Sequence, residues 1–182
     1  MRTVSWDPRK QEILLIDQRL LPARCELFTC RDAAETAAAI RGMVVRGAPA
    51  IGVTAAYGLA AQACRSQSAA LPALRAELEE AAAILRASRP TAVNLFWAID
   101  RMLRAAREPV DSPAGLKHRL VAEAERMADE DVETNRRMAL NGAGLIDDGD
   151  TLIHHCNTGA LAAVDWGTAL GCIRMAHEQG KR

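Results

Sequence analysis

Thr151-Leu-Ile-His-His-Cys156-Asn-Thr-Gly-Ala160 is the stretch that decides how this chain is read. Thr151 to His155 is a short apolar run of strand character. It breaks at Cys156 into a glycine-containing turn, and the small residues from about Ala160 to Glu178 predict a helix. A strand that hands over to a helix is the unit of an open α/β sheet, and such sheets place ligands at the carboxyl ends of their strands. Cys156 therefore stands where chemistry would be put. Taken without its neighbours, a cysteine is most often a small buried hydrophobe, so position alone assigns no role. The adjacent histidines do not make a metal site. Strand alternation turns His155 away from His154 and Cys156, which leaves too few ligands on one face for zinc.

Working outward, 182 residues suffice for one domain or one and a fraction, with a real core. Lysine plus arginine balances aspartate plus glutamate at 23 each, and no basic stripe with interleaved aromatics argues for nucleic acid. The expected partner is a small molecule or a protein. Aromatic residues make up only 3% beside abundant alanine, which predicts closely packed helices with thin side chains. Cys25, Cys30, Cys64, Cys156 and Cys172 form an odd set without a CxxC pair. With no signal peptide and no apolar run of membrane length, the expected setting is cytoplasmic, with free thiols.

The second informative stretch is Arg46-Gly-Ala-Pro-Ala-Ile-Gly52. Proline suits the first turn of a helix, where its missing N–H would be unpaired anyway, so a helix is predicted over 49–64. Gly47 can take unusual dihedrals, the helix start offers backbone N–H groups, and Arg46 stands beside them. Together they would cradle a phosphate, although an ordinary helix start with a solvated arginine fits the same residues. Arg89, in Ser88-Arg-Pro-Thr91, is pushed toward an extended conformation by Pro90 before a helix predicted over 91–107, and could add a second contact to the same anion or be a surface arginine.

The remainder reads as scaffold. Three short strands are expected at 3–6, 11–16 and 24–30. A helix capped by Asp32, with Glu35 completing a capping box, should run to about Val44. Residues 69–87 pattern as an amphipathic helix. Leu95, Phe96, Ile99, Met102 and Leu103 face the core of the next helix. The longest helix opens at Ser112-Pro113 and reaches about Asn141, with Leu116, Leu120, Ala124, Met127 and Asp131 tracing one face. Glu123 with Arg126 and Glu133 with Arg137 are expected to pair on its solvated side, and Gly142 or Gly144 to provide a left-handed stop.

Met43-Val-Val-Arg-Gly-Ala-Pro-Ala-Ile-Gly52, Ser88-Arg-Pro-Thr-Ala-Val-Asn-Leu95 and His155-Cys-Asn-Thr-Gly-Ala-Leu-Ala162 together resemble the methylthioribose-1-phosphate isomerase family of methionine salvage. Leu15-Ile-Asp-Gln-Arg-Leu-Leu-Pro22 and Gly167-Thr-Ala-Leu-Gly171 fit as well, so the resemblance spans essentially the whole chain. The Arg-Gly-Ala-Pro-Ala-Ile-Gly element is shared with ribose-1,5-bisphosphate isomerase and with the regulatory subunits of a eukaryotic initiation-factor exchange factor. The resemblance implies that Arg46, Gly47, Ala48 and Arg89 bind substrate and that Cys156 lies in the active site. It implies conversion of an aldose 1-phosphate to a ketose 1-phosphate without metal or organic cofactor, in a homodimer. It further implies an α+β / α/β architecture: a small antiparallel β unit and helical domain over residues 1–145, then the first strand and helix of a Rossmann-like domain over 146–182. The family's aspartate general acid falls beyond Arg182, and Val164-Asp-Trp166 departs from the small, glycine-containing run expected there. The chain alone is accordingly expected to be catalytically inactive, and to be marginally stable or to associate with a missing carboxyl-terminal half.

Overall fold

The computed structural model describes residues 2–182. Its amino-terminal strands β1 (Val4–Asp7), β2 (Glu12–Ile16) and β3 (Leu27–Cys30) form an antiparallel meander in the order β1-β2-β3. Val4 opposes Leu15 and Ile13 opposes Cys30. All four are fully buried, so the two-residue period puts one face of the sheet into the core. Trp6 stacks on Tyr57 at 5.9 Å between ring centroids, with the rings nearly parallel.

The helical body follows as α1 (Ala33–Arg41), α2 (Ala48–Arg65), α3 (Leu71–Arg86), α4 (Val93–Arg107) and α5 (Pro113–Ala143). Asp32 caps α1 by accepting from the Glu35 N–H at 2.8 Å, and Ser112 caps α5 by accepting from Gly115 N–H at 3.1 Å. The body is organised around α2, in which every residue from Ala50 to Ala61 is buried. A helix apolar on all sides must be surrounded. Its alanines and glycines let α4 come close: a Cβ on Gly52 would lie 3.0 Å from the Asn94 carbonyl oxygen and 3.6 Å from Ala98 Cβ. The start of α4 thus lies beside the first turns of α2.

Three expectations are corrected. The expected solvated face of α5 does carry the Glu123–Arg126 pair (2.7 Å) and the Glu133–Arg137 pair (4.0 Å). Glu123, however, is buried and turned inward, where it binds Arg101 of α4 at 2.6 Å, and Arg101 also reaches Glu130. The end of α5 is not a left-handed stop. Gly144 closes it at φ −67°, and Gly142 lies inside the helix, where a Cβ would come within 2.4 Å of Cys172 Sγ on α6 (Ala169–Glu178). Lys181 Nζ donates to the Ala143 and Ile146 carbonyls and supplies part of the cap instead.

The third correction concerns the expected strand at Thr151 to His155. Residues 151–155 are exposed coil, with Leu152 and Ile153 turned to solvent. A strand needs a ladder partner, and none of the described residues pairs with this run. The expected single helix over 160–178 is divided into a short 3-10 turn, Ala160–Ala162, and α6. Between them Trp166 and Gly167 take φ values of 68° and 85°, which no right-handed helix accommodates. Thr158 restarts the helix from a distance, its hydroxyl accepting from the Leu170 N–H at 3.2 Å. No helix among the described residues is long and apolar enough to cross a membrane.

Candidate functional site

Gly47 precedes α2 at φ 91°, ψ 137°, a conformation that a side chain disfavours. The helix begins at Ala48, one residue earlier than expected, with Pro49 in its first turn. No side chain caps it. The amides of Gly47, Ala48 and Ala50 precede the first intrahelical bond, Ile51 N–H to the Gly47 carbonyl, and make no backbone bond of their own; Ala50 is buried, so Gly47 and Ala48 are the ones placed to meet an acceptor from outside. Arg46 is exposed beside them, and no carboxylate among the described residues lies within ion-pair distance of it or of Arg89. An uncapped helix start with an uncommitted guanidinium is suited to an oxyanion.

The chain that follows Cys156 packs against the same helix start. A Cβ on Gly47 would fall 2.4 Å from both Cα and the carbonyl oxygen of Ala162. Residue 47 has to be glycine for the 160–162 turn to sit where it does. Cys156 itself, on the exposed stretch leading into that turn, adopts φ 75° and remains a free, exposed thiol. His154 Nδ1 lies 3.2 Å from the Thr158 hydroxyl, and both histidines are exposed.

Arg89 is partly buried just ahead of α4, which starts at Val93 where sequence patterning places its start at Thr91. The Arg89 carbonyl accepts from the Ala92 N–H at 3.1 Å, holding the residue in the turn before a second helix that has no side-chain cap. The packing of Asn94 on Gly52 brings the amino termini of α2 and α4 together. Next to them a groove of about 290 Å³ is lined by Pro49, Gly52, Asn94, Trp97, Met127 and Asp131, among others.

Sequence reasoning missed the residues that fasten the turn. Thr3 donates its N–H to the Val164 carbonyl at 2.9 Å and its hydroxyl to the Ala160 carbonyl at 2.8 Å. Gln18 Nε2 donates to the Leu161 carbonyl at 2.7 Å, and Asp131 accepts the Val164 N–H at 2.7 Å. Only Asp131 left a trace: it is the one acid on the face otherwise traced by Leu116, Leu120, Ala124 and Met127. Burial pushes its carboxyl above the ordinary aspartate value, opposed by the Val164 N–H.

Over 182 residues the chain is 50% identical to a putative methylthioribose-1-phosphate isomerase of Methanothermobacter thermautotrophicus, covering all of this chain and 51% of that protein. It is 52% identical over 171 residues to the methylthioribose-1-phosphate isomerase of a Synechococcus strain, covering 94% and 49%. The chain spans about half the length of the curated relatives it matches. Among solved structures, 5-methylthioribose 1-phosphate isomerase from Pyrococcus horikoshii superposes with a TM-score of 0.90 at 39% identity, over 99% of this chain and 50% of that one. A structure described as translation initiation factor eIF-2B, subunit delta, from A. fulgidus gives 0.90 at 46% identity, over 100% and 52%. The Initiation factor 2 subunit family profile matches residues 44–182, from just ahead of α2 through α6, and the chain belongs to that family.

Proposed function

We propose that this chain is the amino-terminal half of a sugar-phosphate isomerase that converts methylthioribose 1-phosphate into methylthioribulose 1-phosphate. The observation that carries the reading is the seating of the turn after Cys156 on Gly47, at the uncapped start of α2. The names of relatives at 44–52% identity supply the substrate. In this reading Arg46, the Gly47 and Ala48 amides, and Arg89 hold the phosphate dianion. Phosphate on the anomeric oxygen blocks free ring opening, so an acid must help the ring oxygen leave before hydrogen moves from carbon 2 to carbon 1. Cys156 carries that proton or polarises the reacting carbons. The acid and the rest of a Rossmann-like domain belong to the remaining half of such an enzyme, which in its complete form would be a homodimer, so residues 1–182 alone are expected to be inactive.

The test is made in the full-length protein. Cys156→Ser should lower kcat by about 100-fold or more, and turnover within a few fold of wild type would end the reading. Arg46→Ala should weaken binding of the phosphorylated substrate by about 1.5–3 kcal/mol. A second reading, a non-catalytic sugar-phosphate-binding or regulatory subunit, is favoured by the description of the A. fulgidus structure as an initiation-factor subunit. It predicts the same loss for Arg46→Ala and none for Cys156→Ser. Turnover of ribose 1,5-bisphosphate in preference to methylthioribose 1-phosphate would instead mark the related bisphosphate isomerase.

A further inference from the structure

Residues 160–164 are tied to the body from four directions: by Thr3 ahead of β1, by Gln18 after β2, by Gly47 at the start of α2, and by Asp131 in the middle of α5. Three of these are ordinary loop contacts between neutral groups. Asp131 is different. It is a partly buried carboxylate on an apolar helix face, and no cation among the described residues lies within ion-pair distance of it. Placing a lone charge there opposes folding, and an asparagine would accept one backbone N–H without that cost. What the side chain does reach across to is a single backbone group outside its own helix. Its partner, Val164 N–H, closes the segment whose beginning carries Cys156 and whose middle rests on Gly47.

We propose that Asp131 is a positioning residue: its carboxylate anchors the Val164 amide and thereby sets the turn after Cys156 against the Arg46-Gly47-Ala48 cradle. The inference rests on the isomerase reading above. It acts through the backbone, so it predicts an effect on the reacting geometry and little on phosphate capture.

The experiment uses the full-length protein, with steady-state kinetics on methylthioribose 1-phosphate for Asp131→Leu, Asp131→Asn and Thr3→Val. Asp131→Leu removes the acceptor and should lower kcat by about tenfold or more with KM changed less, since small misplacements of reacting groups are costly. Asp131→Asn keeps an oxygen for the same N–H and should stay within about threefold of wild type. A purely structural role would lower Tm in Asp131→Leu without separating kcat from KM. Wild-type kcat in folded Asp131→Leu, or equal damage from both substitutions, overturns the proposal. If Asp131→Leu does not fold, Thr3→Val decides, because it deletes only the hydroxyl that holds Ala160: a lower kcat at retained KM supports the clasp, and an unchanged kcat overturns it. Cys156→Ser separates the two levels. If it is active the isomerase reading falls and takes this one with it; if it is inactive while Asp131→Leu is normal, only the positioning claim falls.

Discussion

The helical body around α2 and the segment from residue 151 to 168 are built by different means. In the body, residue type and depth agree: Leu59, Leu74, Leu78, Leu85, Leu95 and Ile99 lie at apolar positions of their helices and are essentially inaccessible to water. The segment's side chains are buried only at Ala162, Ala163 and Val164, the last packed into the body's core. Ile153 is 96% exposed, three of its residues have positive φ, and polar bonds with one glycine contact complete its placement. Burial makes a framework; directional bonds made by that framework place a loop. Proteins put reacting groups on loops positioned in this way, and under the proposed isomerase reading the weaker region is the one that carries Cys156.

The contrast is broken first by truncating the body. Leu59→Ala should cost about 2–5 kcal/mol, read from the midpoint of denaturant unfolding, because it opens a cavity beside the helix that α1, α3, α4 and α5 surround. Ile153→Ser in this same chain should change stability by less than about 0.5 kcal/mol. Similar costs at the two sites would mean that the segment is packed as the body is.

Gly47→Ala strikes the junction between the two regions. The added Cβ needs an unfavourable φ of 91° and meets Ala162 at 2.4 Å, so the expected cost is about 1–3 kcal/mol. The loss should appear locally: limited proteolysis should cut faster within 151–164 while the body stays protected. Uniform loss of protection would show that the segment is integral to the body. Asp32→Ala, at the cap of α1, should cost about 1 kcal/mol in unfolding experiments and leave proteolysis of the segment unchanged.

How much is legible in the sequence follows the same division. The five helices of the body can be placed to within a few residues, because apolar period, Asp32 and Ser112 as caps, and proline in the first turns of α2 and α5 all act within one helix length. The three strands are also legible, with β3 starting later than expected. Thr151 to His155 misleads for a physical reason. Apolar alternation states what a strand would bury, but a strand exists only where another chain segment offers a ladder. Likewise the α6 start is hidden, since the hydroxyl that meets its amide belongs to Thr158, well outside the helix. Arg46, Gly47, Ala48 and Arg89 stand out through glycine and proline grammar near arginine. The clasp of Thr3, Gln18 and Asp131 lies beyond that grammar, because its members come from distant parts of the chain and meet only in the fold.

The smallest effect sharpens the contrast at Asp131. Its folded-state pKa lies above the ordinary aspartate value of 3.8, chiefly because burial disfavours the carboxylate. In the window from that ordinary value upward, the unfolded chain gives up its proton more readily than the folded one. Stability contributed by the protonated form is therefore lost as pH rises through the window, and the penalty is complete at neutral pH. Asp131→Asn keeps an oxygen for Val164 N–H and removes the charge, so its unfolding midpoint should lie above wild type at pH 7. The difference should shrink as pH falls through the window and below the ordinary aspartate value, where the wild-type residue is neutral in both states. A pH-independent difference would mean that the side chain is well solvated. A lower midpoint at pH 7 would mean that the negative charge itself stabilises the clasp, and that the 160–164 turn is fastened by electrostatics instead of by a single accepting oxygen.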